Sequence, residues 1–551
     1  MKTKDPASTQ QREPIAIVGI GCRYPGAMNA RELWELLIQE RNEIREIPKD
    51  RFDIDAWYDA RPATPGRLYA RKGGFLDDPS GFDTDYFGLS PREAGRMDPQ
   101  HRLALEVSAE ALDDAFLSQE ELASHVTGVY MGAWSSDWEC HEYADRKYTD
   151  VYTVTGSSRC LISGRISFAF DLRGPSLSVD TGCSASMIAA HLACQSLWLG
   201  ETTLALVGGV NLVLDPWQGI AFSQGGMLAH DGQCKAFNKH ADGLVRSDGC
   251  GVVVLMPLSL AKARGARIYA VIRGSGASND GFSNELLTTP SEIGQELAIR
   301  EAYRSAGLSP NDVQYVEAHG TGTRAGDPVE LRALAAVMQE RTTPCLVGSI
   351  KSNIGHTEGA SGIAGLIKGA LMVHHRMIPK TLFCEEPTQL VDWDAMNVQL
   401  ATRTEAWPAG IARAGVSSFG ISGTDVHMVL EEAERPLATP SAEDRDELLV
   451  VSAMREASLA QNAQALSELL AKPAAESGSL RAIAYTTAFG RRHHQHRLSV
   501  VGRTRSELSE ALAAYARGEQ HPALAVHRRR PGLGAPVFVF AGQGPQWPGM
   551  G

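Results

Sequence analysis

Three residues stand out for the chemistry they could do together: Cys183 in SVDTGCSAS, His319 in VEAHGTGTRAGDP and His356 in GSIKSNIGHTEGASG. Leu177-Ser-Val-Asp alternates apolar and polar residues as a short strand does, and Thr181-Gly182 marks a sharp turn. A helix is expected at once, with Ala185, Ile188, Ala189 and Leu192 at helical spacing and Met187 and Ala193 making its remaining face apolar, so it should be buried. Cys183 therefore sits at a strand-to-helix corner, beside the free N–H groups of a helix start. Those groups and the helix dipole favour the thiolate and would lower a thiol pKa from about 8.5 toward or below neutrality. On this stretch alone Cys183 reads equally as one more buried small hydrophobe.

The two histidines bear on that choice. Each follows a strand and sits in a glycine-rich turn, and Gly320, Gly322, Gly355 and Gly359 would let a substrate arm approach the backbone closely. Activating a thiol, or stabilising charge on a thioester-derived enolate, needs imidazoles near the sulfur. Alone, each histidine reads as structural; the pair, with Cys183 in a matching context, points to covalent acyl chemistry.

The elements that must position them alternate strand and helix. Strands are expected at Ile15 to Gly21, Ile162 to Phe170, Leu177 to Val179, Leu204 to Gly209 and Gly251 to Pro257, with a helix from Ala30 to Leu37. A second alternation runs from Ile268 to about 431, with helices near 293–306, 328–340 and 360–375 and strands at Val313 to Ala318, Cys345 to Ile350 and Asp425 to Glu431. Two successive α/β halves imply a duplicated fold without strong residue identity between them. Beyond the boundary EAERPLATPSAEDRDE a small α/β segment follows: strand Leu448 to Ser452, a helix through Leu470, a helix near 479–486, strand Leu498 to Gly502 and helix Ser506 to Tyr515. HRRRPGLGAP then precedes an apolar strand, VFVFAGQG, and the end at Gly551 reads as a cut within a longer polypeptide.

Composition sets limits on function. The chain has 551 residues, 43% hydrophobic and 21% charged, with 54 glycines, enough for large cores and many tight turns in two or more domains. A net charge of −12 argues against a general affinity for nucleic acid or anionic membrane. Nine cysteines are spread singly with no CxxC pair, which fits a reducing cytoplasm and indicates neither zinc ribbon nor disulfide framework. No stretch reads as a signal peptide or a transmembrane span. Two motif-like runs fall away. GIGCRYPG has Tyr24 where a dinucleotide fingerprint needs its third glycine, and His141-Glu142 has Asp145 where a zinc helix needs its second histidine. No metal is expected; RRHHQHR at 491–497 lacks carboxylate or cysteine companions and reads as a solvated strand edge.

DTGCSAS, EAHGTGT and KSNIGH, in this order, resemble the ketosynthase of modular or iterative type I polyketide synthases, close to animal fatty acid synthase and within the thiolase superfamily. The likeness covers about residues 13–432; 433–535 is similar to the linker between ketosynthase and acyltransferase, and FVFAGQGPQW resembles the opening of the acyltransferase. It implies an N-terminal tail over 1–13, a ketosynthase over 14–432 with thiolase-like duplicated α/β layers (αβαβα), a small α/β linker domain over 433–535 and a truncated acyltransferase start over 536–551. The resemblance further implies that Cys183 accepts an acyl chain from the phosphopantetheine of an acyl carrier protein. His319 and His356 would then support decarboxylation of malonyl- or methylmalonyl-carrier protein, and Claisen attack on the Cys183 thioester would give a β-ketoacyl product. It assigns Lys351 to the histidine network with Glu358 as its ionic partner, the N–H groups of Cys183 and Phe419 to an oxyanion hole, and Thr321 and Thr323 to the pantetheine. Each oxyanion donor would contribute about 3–4 kcal/mol. No cofactor is implied; the partners are the carrier protein, the adjacent acyltransferase and other synthase domains, and a second copy in a homodimer.

Departures from the pattern are Gly182 and Ala185, where Ala and Ser are commoner, and Asp425, where SGTNAH would place Asn. The first two lean toward iterative reducing synthases; the third predicts a local hydrogen-bond change with turnover kept. A decarboxylase-only relative would lack the nucleophile that Cys183 supplies, and a biosynthetic thiolase would need a second cysteine near its C-terminus, where none follows Cys384. A silent scaffold that only docks carrier proteins would differ in failing to load Cys183. As a further expectation, Arg491, Arg492 and His527-Arg-Arg-Arg530 form a basic face for an acidic carrier protein, or else merely a solubilising surface.

Overall fold

Strand β1 (Ile15–Arg23) is the hinge of the architecture, because its two edges pair with strands from different halves of the chain. The computed structural model describes residues 12–283, 286–434, 445–473 and 478–529, and the chain divides into two units between residues 437 and 438. The first half of the first unit continues with helix α1 (Pro99–Asp114), β2 (Thr127–Gly132), β3 (Ser176–Val179), α2 (Ala185–Leu199), β4 (Leu204–Asn211) and β5 (Gly249–Pro257). The second half holds β6 (Ala270–Asn279), α3 (Glu292–Ala306), β7 (Tyr315–Glu317), α4 (Gly326–Val337) and β8 (Cys345–Gly348). It ends with α5 (Ser361–His375), β9 (Val398–Leu400), β10 (Arg413–Phe419) and β11 (Thr424–Glu431).

Among the described residues these strands form one eleven-stranded sheet in the order β9-β8-β7-β10-β11-β6-β1-β5-β4-β2-β3. Outward from its middle, the first half runs β1-β5-β4-β2-β3 and the second β6-β11-β10-β7-β8, with β9 added at the rim. The orientations match as well. In each half the first two pairings are antiparallel and the next two parallel. The duplication is therefore in topology, and only Ile15 to Ile17 of β1, paired with Ala270 to Ile272 of β6, join the halves edge to edge.

Three cores give the layering. The largest encloses α2 and α5 between strands of both halves; a second packs α1 on the outer face of the first half, and a third packs α3 and α4 on the outer face of the second. The order is helix, sheet, helix pair, sheet, helix, the αβαβα arrangement the resemblance implies. Helix α2 is apolar nearly all round, with Ala185, Met187, Ala189, Ala190 and Ala193 fully buried, because it lies in the middle layer with sheet on two sides.

Residues 162–170 are a helix, Cys160–Phe170, where a strand is expected. An apolar run of that length is compatible with either state, and Asp171, in the left-handed region at φ 53°, ends it as a helix C-cap. Strands β2, β9 and β10 also escape the sequence pattern, β9 being three residues long and β10 carrying Gly415 and two serines.

The second unit has β12 (Glu447–Ala453), α6 (Glu456–Ala471), α7 (Leu480–Phe489), β13 (His496–Gly502), α8 (Arg505–Ala516) and β14 (Leu524–Arg528). Its antiparallel sheet runs β12-β13-β14, with the helices packed on Leu449, Val451, Leu498 and Val500. RRHHQHR thus leads into a central strand, not an edge: Arg497 pairs with Ser452 on one side and His527 on the other. Residues 1–11 of the expected 1–13 tail, most of the boundary after Glu434, Arg530 and the 536–551 segment lie outside the described residues. Among the described residues no helix is long and apolar enough to cross a membrane.

Candidate active site

The topology places Cys183 and His356 at equivalent corners of the two halves. Cys183 follows β3 and precedes α2; His356 follows β8 and precedes α5. The turn at Gly182 has φ +64°, and a Cβ there would come within 3.2 Å of Ile421. Gly182 N–H donates to Asp180 Oδ1 at 3.1 Å, and Ser184 forms the helix N-cap position. Two hydroxyls from the other half fix the corner: Ser361 Oγ and Ser418 Oγ donate to the Cys183 carbonyl at 3.0 and 3.1 Å.

Behind the corner, α2 and α5 approach closely because their contact residues are small. Gly209 of β4 lies under both helices, where a Cβ would meet Ser186 Cβ at 2.6 Å and Ala360 Cα at 3.0 Å. Ser186 Oγ accepts the Ile363 N–H at 3.0 Å and locks the two helix starts together.

His319 leaves β7 on a turn held by buried acids. Glu330 of α4 accepts the N–H groups of His319 and Gly320 at 2.7 and 2.8 Å, and Asp327 accepts those of Phe237 and Gly322 at 2.6 and 3.1 Å. Burial raises both carboxyls to about 7. Lys351, also buried, donates from Nζ to the His319 carbonyl at 2.5 Å. Burial lowers the Lys351 pKa, with Glu317 opposing.

Glu358 is not the ionic partner of Lys351. It pairs with Arg246, Nη2 to Oε2 at 3.2 Å and Nε to Oε1, the two side chains being 7% and 1% exposed. Arg246 could have been suspected only as one of two charges, with Asp248, inside the glycine-rich run GLVRSDGCG. The pair holds Glu358 at φ +45°, a strained conformation for a residue with a side chain. In that conformation its N–H donates to His356 Nδ1 at 2.9 Å, while the His356 backbone bonds Val245 and Ser247.

Both imidazoles have pKa values well below the ordinary histidine range, through burial first and then the Lys351 charge. His356 is therefore neutral near pH 7, and with Nδ1 accepting, its proton sits on Nε2. The rings of His319 and His356 stand edge to face with centroids 5.5 Å apart, and the Phe419 ring lies 5.8 Å from that of His319.

The thiol departs from expectation. Burial raises the Cys183 pKa to about 12, and the Glu358 charge adds to that; Lys351 and the N–H groups of Ile421 and Cys183 itself act the other way without prevailing. The expected depression fails because the corner is dry, so removing water from a thiolate outweighs a partial helix charge. A neutral thiol beside neutral imidazoles must lose its proton as it attacks. Ile421, beside the sulfur, was missed by sequence reading, which looked only to Phe419.

Cys183, His319 and His356 line one cavity of about 510 Å³, together with Thr321, Thr323, Glu358 and Phe419. Thr321 and Thr323 hydroxyls lie 3.0 Å apart on its wall. Asp280, Gln295 and Asp425 line it too, so Asp425 belongs to the site and not merely to a local turn. Such a cavity brings a buried nucleophile, two neutral hydrogen-bonding imidazoles and backbone N–H groups onto one bound acyl group.

The chain is similar to known proteins over most of its length. The family model described as "Beta-ketoacyl synthase, N-terminal domain" matches residues 12–261, "Beta-ketoacyl synthase, C-terminal domain" matches 269–385, and "Ketoacyl-synthetase C-terminal extension" matches 387–501. Polyketide synthase GfsA of Streptomyces halstedii is 44% identical over 552 residues, covering 98% of this chain and 7% of that protein. Erythronolide synthase EryA2 of Saccharopolyspora erythraea is 43% identical over 553 residues, covering 98% and 15%. The chain thus spans well under half the length of these curated relatives. Among solved structures, the ketosynthase from module 6 of the bacillaene synthase of Bacillus subtilis 168 matches with TM-score 0.84 at 37% identity, covering 94% of this chain and 87% of that one. The oxazolomycin ketosynthase domain OzmH KS7 of Streptomyces albus JA3453 matches with TM-score 0.89 at 34% identity, covering 94% and 91%.

Proposed function

The chain belongs to the β-ketoacyl synthase family, as a ketosynthase of the polyketide synthase type with its C-terminal extension, and we propose that Cys183, His319 and His356 carry its condensation. The observation that carries this assignment is that the three groups, drawn from two halves of the fold, line one cavity.

In the reaction we propose, an acyl group arrives as a thioester on the phosphopantetheine of an acyl carrier protein. The Cys183 sulfur attacks the thioester carbonyl, the carrier thiol leaves with a proton, and the acyl group remains on the enzyme. A malonyl- or methylmalonyl-carrier protein then enters the cavity; loss of CO2 leaves an enolate on its thioester carbon. Neutral His356, with its proton on Nε2, is suited to donate a hydrogen bond to that enolate oxygen, and His319 is suited to the same task from the facing ring. The enolate carbon attacks the Cys183 acyl carbonyl; the N–H groups of Cys183 and Phe419 take the developing oxyanion, and collapse expels the sulfur and forms the β-ketoacyl thioester. Lys351 and Glu330 hold the His319 turn from its two sides, and Arg246 with Glu358 holds His356. In this reading Thr321 and Thr323 hydrogen-bond the pantetheine arm, which their position on the cavity wall supports.

The assignment extends to context: a ketosynthase over 14–432 and a linker domain over 433–535, within a larger cytoplasmic synthase. Edge strand β3, with Leu177 exposed on it and Phe168 and Leu199 exposed nearby in sequence, supports a homodimer through this edge. Arg491, Arg492 and Arg528 are exposed on the second unit and support the basic face for an acidic carrier.

The test is loading. Incubation with an acyl-pantetheine thioester should add one acyl mass to the peptide holding Cys183 and protect it from iodoacetamide. Acylation elsewhere, or none, refutes the assignment.

A further inference from the structure

One wall of the cavity carries two adjoining carboxyls and a buried amide oxygen that has no hydrogen-bond partner among the described residues. Asp425, at the start of β11, and Asp280, just past the end of β6, lie on neighbouring strands; the Asp280 N–H donates to the Gly423 carbonyl at 2.8 Å. Both carboxyls converge on Gly294 of α3, where a Cβ would meet Asp280 Oδ1 at 2.1 Å and Asp425 Oδ2 at 3.0 Å. Those two oxygens are buried; the two carboxyls hydrogen-bond each other, and the Ser291 N–H bonds Asp280 as well. A third, independent group faces the same space: Gln295 lines the cavity, is 2% exposed, and its Oε1 is buried with no hydrogen-bond partner among the described residues.

A buried acceptor left unmet is costly, so Gln295 Oε1, beside two carboxyls that hold one proton between them, calls for a donor. Burial and the neighbouring Asp280 raise the Asp425 pKa, so the two acids share a proton and the wall carries one negative charge at neutral pH. Such a wall disfavours an anion and a bare alkyl chain, and suits a neutral O–H or N–H donor. The register narrows its place, because Asp425 stands directly opposite Phe419 in the β10–β11 pairing and Phe419 packs toward His319. The donor is therefore within a few atoms of the reacting thioester.

We propose that Asp280, Gln295 and Asp425 form a polar subsite that binds a neutral hydrogen-bond donor close to the thioester of the incoming acyl group. The donor is either a hydroxyl near the acyl carbonyl or the first amide N–H of the pantetheine arm. The inference rests on Cys183 as the acyl acceptor.

The experiment measures acylation of Cys183 by mass spectrometry with three thioesters: 3-hydroxybutyryl-N-acetylcysteamine, butyryl-N-acetylcysteamine and S-butyl butanethioate. Comparing the first two isolates the acyl hydroxyl; comparing the last two isolates the amide. One of these ratios of kcat/KM should reach about five- to tenfold in the wild-type chain, the size of one well-made hydrogen bond. It should fall toward unity in Asp425→Leu and at least about threefold in Gln295→Met, which leaves the carboxyl pair intact and keeps the measurement interpretable should the leucine variant fold poorly. The hydroxyl ratio responding identifies the acyl chain as the source, and the amide ratio identifies the arm. Ratios near unity in the wild type, or ratios unchanged in both variants, overturn the subsite while leaving the loading role of Cys183 standing. No acyl group on Cys183 from any thioester overturns that role and the subsite with it.

Discussion

Replacing Arg246 with methionine removes the cation that pairs with Glu358 while keeping an unbranched apolar stem against the Phe222 ring, which the guanidinium overlies at 5.6 Å. Glu358 would be left with a side chain 1% exposed and no ion-pair partner. Stranding a buried charge in this way costs about 3–5 kcal/mol, much more than the net value of the intact pair. Arg246→Met should therefore lower the urea midpoint at constant slope by that free energy. Glu358→Gln in the same background should recover about 2 kcal/mol or more, since no charge remains to be stranded. The Glu358 N–H that fixes His356 Nδ1 depends on the same pair, so the single variant should lose condensation more than Cys183 loading. Tryptophan fluorescence during urea titration of the four proteins of the cycle gives the coupling. A loss under about 1 kcal/mol in Arg246→Met, or equal losses in the single and double variants, would refute the argument that this pair is what positions His356.

Three further outcomes follow from the geometry. Glu330 has a folded pKa raised to about 7 from an unfolded value near 4.5, so the folded state holds the extra proton between those pH values and this group's contribution falls as pH rises through that window. Glu330→Gln should remove up to about 1.4 kcal/mol per pH unit of that slope, read from urea midpoints at pH 5, 6 and 7; an unchanged slope contradicts the assignment. Gly209→Ala drives a methyl into Ser186 and the Ala360 backbone and should destabilise by about 1–3 kcal/mol while slowing Cys183 loading; a neutral variant would show that α2 and α5 separate freely. Charge reversal at Arg491 and Arg492 should weaken carrier-protein binding at low salt more than at high salt, and equal affinities at low salt would dismiss the basic face.

The sequence made the site legible where chemistry coincides with a turn. Cys183, His319 and His356 each follow a strand, Cys183 just after the Gly182 turn and His319 and His356 within glycine-rich turns, and a strand that ends so must present the next residue at a rim. The helices α2, α3 and α5 were legible because long apolar or amphipathic runs admit one period. Cys160–Phe170 was not, since eleven largely apolar residues between turns fit a strand or a helix until their neighbours are known. What pairs with what was also hidden. Glu358 lies seven residues from Lys351 yet binds Arg246, 112 positions away, because the β5 approach and the turn after β8 meet only in the fold. The thiol pKa failed for a similar reason: the helix start was visible, but the dryness of the corner depends on Phe419, Ile421 and α5, none of them near Cys183 in sequence.

The most direct measurement is a single turnover on a chain already acylated at Cys183. Addition of malonyl-carrier protein should remove the acyl mass from the Cys183 peptide, release one CO2 per chain and place a β-ketoacyl group on the carrier; His319→Asn or His356→Asn should retain the acyl mass on Cys183. Release of CO2 and extension of the carrier while the acyl group stays on Cys183, or full turnover in both histidine variants, would contradict the account.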